Sequence, residues 1–555
     1  MQVVDKPWFP DYPPTLPHVI HDCVAKHADR TFLIEGESQW TFRQIGERSA
    51  RLARGLTALG VGKAHRVGII MPNCTDWVVT WWAAGRIGAF TVPLSTFFRP
   101  RELAAVLKQA DIETLLVYDA YLHHNYVEHL EEAIPELKGQ DSTLLYLQSH
   151  PYLRRIVVWG RSDIDGYDRK WAIQGPDELH ALADADRRID APLMKAIEDN
   201  VVPADMLIGV CTSGSTAEPK IVVHTHASML RICHAYRAYM GIRPDDRSYS
   251  GMPFFWLGGL NFNLLQIMFE GACMVFAHTP KPDDVLNVVS REKVTRVSMW
   301  PAQRLALLDR VRTSGIDVSS VRIGLFDPVD PDGKVVPLPR RSSMLGMTES
   351  FGPHGVEHVE TIMPEQRARS AGHALEGIER KIVDPETRQT LPAGQVGELM
   401  IRGFSLMQGY YKRERSEIFD PDGWFATGDL CRFDADGYIY YQSRRSEMIK
   451  TSGANVAPME IEVLMQGYEN VMEAIVFGLP DEVKGERVAA VLIAKEGRII
   501  DVDAVRQRLK NDLSTYKVPT DIFILPHADI PRTDTGKVRK PVLKEFLMNN
   551  SMVKK

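Results

Sequence analysis

The alternation of helix-type and strand-type apolar patterns in the first third of the chain constrains its fold more than any other feature. Between Thr41 and Gly62, the residues Phe42, Ile45, Leu52, Leu56 and Leu59 recur at roughly helical spacing, and Gly60 and Gly62 end the pattern. The run RVGIIMPN that follows reads as a buried strand. A second helical pattern, TDWVVTWWAAGRIG, ends at Gly85 or Gly88 and runs into the strand-like AFTVPLS. Helices and strands that alternate in this way predict α/β layers.

Further strand-like runs occur at ETLLVYDA, RRIVVWGR, GACMVFAH and VTRVSMWP, each near a helical pattern, while short β-type stretches such as GQVGELMIRG dominate after residue 370. The expected body is a large multi-layer α/β domain with a β-rich subdomain. Past RRSEMIKTSG the pattern changes again: PMEIEVLMQG and DVDAVRQRLKNDL read as helices, EAIVFGLPD and RVAAVLIA as strands. This predicts an N-terminal domain over residues 1–443 and a small α+β C-terminal domain over 444–555.

At 555 residues, with 44% hydrophobic and 25% charged residues, the chain has the composition of a folded multi-domain protein and exceeds what one core holds. A net charge of −6 provides no broad basic field, which argues against a nucleic-acid partner and requires any anion to be held by a local site. Cys23, Cys74, Cys211, Cys233, Cys273 and Cys431 show no CxxC pair or metal-ligand spacing and read as packing residues of a reducing compartment. No run approaches the ~20 apolar residues of a membrane span and the first residues lack a signal-peptide pattern, so the expected location is the cytoplasm, with peripheral membrane contact and a homodimer compatible with the sequence.

The sharpest local signal is Thr212-Ser213-Gly214-Ser215-Thr216-Ala217-Glu218-Pro219-Lys220, directly after the apolar MLIGVC strand. Backbone N–H groups and hydroxyls in such a loop can donate to phosphate oxygens while Lys220 supplies charge, although the string also reads as an ordinary Ser/Thr turn and is not GxxxxGK[ST]. Further along stand Leu345-Gly346-Met347-Thr348-Glu349-Ser350, then Thr427-Gly428-Asp429, then Arg444 and Gly453, and finally Pro531-Arg532-Thr533-Asp534-Thr535-Gly536-Lys537.

In this order the motifs resemble those of the adenylate-forming superfamily, which contains AMP-forming acyl-CoA synthetases, aryl-CoA ligases, luciferases and the adenylation domains of peptide synthetases. The likeness runs from WTFRQIGERSARLARGLTALGVG to PRTDTGKVRK. It implies an enzyme that uses ATP, Mg2+ and coenzyme A to convert a carboxylic acid through an acyl-adenylate to a CoA thioester. By the resemblance, Thr212, Ser213, Gly214, Ser215, Thr216 and Lys220 form the phosphate loop, Thr348 contacts the nucleotide phosphate and Glu349 helps hold magnesium. Asp429 is the ribose-binding acid, with Arg444 its partner on the nucleotide. Lys537 is the catalytic lysine that bridges acyl and phosphate oxygens, and Gly453 lies beside the pantetheine arm of CoA. The family's C-terminal lid rotates between an adenylating and a thioester-forming pose about the segment that here reads Ser443-Arg444-Arg445-Ser446-Glu447.

The chain departs from the pattern at Ala217, where the phosphate loop has glycine, at Leu345, where a tyrosine commonly meets adenine, and at Ser443, where glycine or aspartate precedes the arginine. The resemblance implies that the acyl pocket lies around Phe255, Trp256 and Gly258. Gly346 stands where acetate-specific relatives carry a pocket-closing tryptophan. No Asp or Glu occurs between Pro253 and Met268 to pair a substrate amine, which disfavours amino acids. A bulky apolar acid is therefore expected: fatty, aryl, alicyclic or a steroid side chain. Two alternatives remain, a stand-alone enzyme that loads a carrier-protein phosphopantetheine and a non-catalytic nucleotide-binding relative.

Overall fold

The computed structural model describes residues 9–160, 169–212, 220–451, 454–456, 458–481, 485–513, 517–533 and 536–549. Compactness divides the chain into two units: Met1–Glu365 with Leu375–Ile378 and Gly403–Asp422, and Gln366–Ala374 with Glu379–Arg402 and Gly423–Lys555. The boundary expected at residues 443 and 444 comes from the change of sequence pattern there, and the compact division also places Gln366–Ala374 and Glu379–Arg402 with the C-terminal segment.

The first unit is built on two sheets. In the larger, the strands run in the order Gly409–Tyr410, Lys220–Thr225, Met206–Thr212, Phe90–Pro93, Arg66–Ile70, Thr114–Tyr118, Arg155–Trp159 and Ala172–Gln174. From Met206–Thr212 onward the pairing is parallel. Parallel strands are covered on both faces, which is why RVGII and TLLVY read as unbroken apolar runs rather than alternating ones. The second sheet, Arg296–Ser298, Arg247–Ser250, Cys273–Phe276, Thr31–Glu35 and Ser38–Thr41, is parallel except for its last pair.

Helix Phe42–Ala58 starts where Thr41 accepts from the Gln44 N–H and Gln44 returns the bond to the Thr41 backbone, and it buries Phe42, Ile45, Leu52 and Leu56. Helix Thr75–Arg86 is buried along almost its entire length, Trp77, Trp81 and Trp82 included. Its terminal Arg86 is held in the interior by Glu198, with Arg86 Nη1 2.6 Å from Glu198 Oε1, and by the Ser49 hydroxyl. Truncation of a fully buried tryptophan such as Trp81 to alanine costs about 3–5 kcal/mol.

The second unit contains an antiparallel sheet of Ile378–Val383, Gly397–Gly403, Phe425–Phe433 and Ile439–Arg444. Its other sheet centres on the long pair Val471–Asp481 and Gly485–Ala494, whose residues alternate between two covered faces after an irregularity between Val471 and Glu473. Val476, Val488, Ala490 and Leu492 pack with Ile461 and Met465 of helix Pro458–Gln466 and with Val505 and Leu509 of helix Val502–Asp512. The opposite face sets Ile475, Phe477, Val491 and Ile493 against Leu543 and Leu547 of helix Lys540–Asn549. No helix among the described residues is long and apolar enough to cross a membrane.

Candidate active site

In the first unit the strand Met206–Thr212 ends opposite the start of Lys220–Thr225, with Thr212 and Lys220 directly paired in an antiparallel register. The candidate phosphate loop is thus the connection of a hairpin. Thr212 and Lys220 are its two described ends, while Ser213, Gly214, Ser215 and Thr216 lie outside the described residues, as does Ala217.

Lys220 projects from its strand with its ammonium 5.0 Å from the centroid of the Tyr410 ring, a cation–π seat. The Tyr410 hydroxyl donates to Glu349 Oε1 at 2.8 Å. One tyrosine therefore joins two residues that the motifs name. Tyr410 reaches this place because Gly409–Tyr410 adds to the edge of the large sheet beside Val222 and Val223.

Glu349 and Thr348 sit on a short 3₁₀ turn, Thr348–Ser350, followed by Phe351 in the left-handed region at φ +48°. Three bonds fix the turn. Met407 N–H donates to Glu349 O at 2.8 Å, the Ser350 hydroxyl to Gly352 O at 2.7 Å, and His224 Nε2–H to Thr348 O at 2.7 Å. A carbonyl only accepts, so the proton resides on Nε2 and Nδ1 faces the Ser228 hydroxyl at 3.3 Å. Burial pushes His224 down to about 4, which keeps the ring neutral.

Gly346 precedes this turn, on a strand that closely approaches Gly352. A β-carbon at position 346 would lie 2.4 Å from the Gly352 carbonyl oxygen, so the glycine has a backbone reason of its own here.

Around Phe255 and Trp256 four rings meet: Phe255 and Trp256 at 4.9 Å between centroids, Phe97 with Phe255 at 5.8 Å and with Trp256 at 6.0 Å, and Trp256 with Trp300 at 6.3 Å. Asn73 secures the loop below them, donating to Met252 O and accepting from Phe254 N–H, both at 2.8 Å. Phe255 contributes to a cavity of about 110 Å³ shared with Asn73, Phe97, Tyr121 and Tyr249. Gly258 O accepts from Asn263 Nδ2 at 2.9 Å, and Asn263 in turn lines a cavity of about 270 Å³ with Met240, Phe262, Met299 and Ile323. No carboxylate is among the described residues that line either cavity.

In the second unit Asp429 and Arg444 are direct cross-strand partners. Arg444 Nε lies 2.9 Å from Asp429 Oδ1 and Arg444 Nη1 donates to Thr427 O at 2.8 Å, while the Asp429 side chain is only 6% exposed. Gly428, directly before Asp429 in strand Phe425–Phe433, is in the left-handed region at φ +73°, and Thr427 fastens this stretch by accepting from Asp429 N–H at 3.0 Å and donating to Leu399 O at 2.8 Å. Lys537 is exposed on the turn after Thr533, and Gly453 lies outside the described residues.

Sequence reasoning missed Tyr410 and His224. Both act through pairing with residues distant in sequence, although His224 stands in the HTHASML segment that carries part of the resemblance.

The family model described as AMP-binding enzyme matches residues 20–411, and that of the AMP-binding enzyme C-terminal domain matches residues 460–537. The acyl-CoA ligase SID4 of Ajellomyces capsulatus is 28% identical over 92% of this chain and 87% of its own. The indoleacetate–CoA ligase of Aromatoleum aromaticum is 28% identical over 93% of this chain and 95% of its own. Among solved structures, ATP-bound MatB from Rhodopseudomonas palustris superposes with a TM-score of 0.76 at 22% identity, covering 96% of this chain and 99% of that one.

Proposed function

Since the chain belongs to the AMP-binding enzyme family, we propose that it is an acid–thiol ligase that activates a bulky apolar carboxylic acid with ATP and transfers the acyl group to coenzyme A. The observation that carries this reading is the Lys220–Tyr410–Glu349 chain of contacts, which sets a cation and a carboxylate beside the described ends of the hydroxyl-rich hairpin. The CoA ligases among its relatives support the thiol acceptor.

In the first half-reaction a carboxylate oxygen of the acid attacks the α-phosphorus of ATP, pyrophosphate leaves and an acyl-adenylate forms. Lys220 and the Thr212 hydroxyl hold the departing phosphates, and Thr348 contacts phosphate from its turn. Asp429 accepts from the ribose hydroxyls while Arg444 keeps its carboxylate oriented. Lys537 offsets the negative charge that develops on the acyl and phosphate oxygens. In the second half-reaction the CoA sulfur attacks the acyl carbonyl and AMP leaves.

Magnesium fits the residues present. Glu349 has one oxygen engaged by Tyr410, and among the described residues its Oε2 makes no hydrogen bond, which leaves a hard oxygen donor. No cluster of three metal-ligating side chains occurs among the described residues, and Mg2+ characteristically takes one or two carboxylates with substrate phosphates and water. Bound there, the ion would neutralise phosphate charge during attack by an anion.

The aromatic cluster at Phe97, Phe255, Trp256 and Trp300, together with cavities lined without carboxylates, favours an acid with an apolar body. The test is Lys537→Ala, assayed separately for acid-dependent pyrophosphate release and for thioester formation from a supplied acyl-adenylate. The first should be lost and the second spared; equal loss of both would show that Lys537 has no role particular to adenylation.

A further inference from the structure

The turn that bears Lys537 is closed on itself and then staked to the rest of its unit. Thr533 N–H donates to Lys537 O at 2.7 Å, Gly536 N–H to Thr533 O at 2.8 Å, Lys537 N–H to Thr533 Oγ1 at 3.1 Å, and Arg539 N–H to Pro531 O at 2.8 Å. On the entering side Arg532 pairs with Glu473 of strand Val471–Asp481 and donates through Nη1 to Gly536 O at 3.0 Å.

The exit side is held by Lys540, the first residue of helix Lys540–Asn549. Its side chain is 18% exposed, and its ammonium meets acceptors from three separate segments: Glu462 Oε1 at 3.0 Å, Val476 O at 3.1 Å and Glu447 Oε2 at 3.4 Å. Three acceptors match the three N–H donors of an ammonium. Glu462 Oε1 also accepts from Val476 N–H at 2.8 Å, so helix, strand and lysine close into one knot.

A cation in the first turn of a helix is at the wrong end of the helix dipole, and burial of an ammonium carries a desolvation cost. The helix gains nothing from the charge at this position, which is recovered only through the three acceptors. Glu447 belongs to the turn Arg445–Glu447 directly after Arg444. Lys540 thus ties the Lys537 turn to helix Pro458–Gln466, to strand Val471–Asp481 and to the turn that follows Arg444.

We propose that Lys540 is a positioning residue for Lys537, fixing where the base of its turn stands on helix Pro458–Gln466 and strand Val471–Asp481; this rests on the role given to Lys537 above. The reacting oxygens tolerate little displacement of a charge that must meet them in the transition state, and a shift near 1 Å costs about 100-fold. Formation of the thioester from a ready-made acyl-adenylate does not draw on Lys537 and should not draw on Lys540.

The full-length protein is compared as Lys540→Met, Lys540→Arg, Glu462→Gln and Lys537→Ala, with both half-reactions and the thermal midpoint measured for each. Lys540→Met should lose about 100-fold in acid-dependent pyrophosphate release while thioester formation changes by less than about threefold. Lys540→Arg, which can serve the same acceptors, should restore most of the loss, and Glu462→Gln should show an intermediate loss confined to the same half-reaction. If Lys540→Met does not fold, Glu462→Gln carries the test alone. Equal decline of both half-reactions, or full adenylation by a folded Lys540→Met or Glu462→Gln protein, overturns the positioning role. Full adenylation by Lys537→Ala would instead remove the premise on which it rests.

Discussion

Tyr410 does two jobs that can be separated by chemistry. Its ring seats Lys220 and its hydroxyl orients Glu349. Tyr410→Phe keeps the seat and removes the bond, and a hydrogen bond to a charged group is worth about 1.5–3 kcal/mol. The magnesium concentration for half-maximal activity should therefore rise about 10- to 100-fold, with metal-free ATP affinity by calorimetry unchanged. Tyr410→Leu should weaken ATP binding even without magnesium; an unchanged magnesium dependence in Tyr410→Phe would show that the hydroxyl is idle. Gly346→Ala tests a different residue, since the added carbon must displace the Gly352 carbonyl. A loss of about 1–3 kcal/mol in urea unfolding is expected, and none if the two strands separate freely. Lys220 and Glu349 were legible because each sits in a local motif. Tyr410 was not, because it joins them only through the edge pairing of Gly409–Tyr410 with a strand almost two hundred residues earlier.

Among the elements, strand Lys220–Thr225 with the start of helix His226–Tyr236 carries a pH dependence of stability. Burial pushes His224 down to about 4 and His226 to about 3. His226 must be neutral to act as it does, accepting at Nδ1 the Leu16 N–H at 3.0 Å and so satisfying an orphan donor at the start of helix Leu16–His27. The folded values lie below the ordinary 6.5, so the unfolded chain binds protons that the folded chain refuses. Their contribution is fully present above pH 6.5 and is lost as pH falls from there toward 4 and 3. The denaturation midpoint should fall across that window, and His226→Asn should flatten the slope; an identical slope in the variant would contradict the assignment. Elements with a clear period were legible, Phe42–Ala58 from its helical spacing and Arg66–Ile70 from its unbroken apolar run. The π-helix Leu260–Leu265 was not, since its sequence LNFNLL carries no period that separates it from an α-helix.

For the whole molecule, the residues assigned to the nucleotide are distributed over both compact units: Thr212, Lys220, Thr348 and Glu349 in the first, Asp429, Arg444 and Lys537 in the second. The α/β body and the β-rich stretch after residue 370 could be read from pattern. The grouping of Glu379–Arg402 and residues 423–444 with the C-terminal segment could not, because compactness depends on contacts that no local pattern encodes. Nor could the meeting of Phe97, Phe255, Trp256 and Trp300, which come from three separate stretches of chain. The central claim is that an acid is joined to a thiol through an adenylate. Its most direct test is ATP with magnesium, CoA and a panel of fatty, aryl, alicyclic and steroidal acids, following AMP, pyrophosphate and the thioester by mass. The account predicts acid-dependent release of AMP and pyrophosphate together, matched by an acyl-CoA of one acid in the panel and abolished in Lys537→Ala. Release of ADP and phosphate in place of AMP and pyrophosphate, or no turnover with any acid by folded protein that binds ATP, would contradict it.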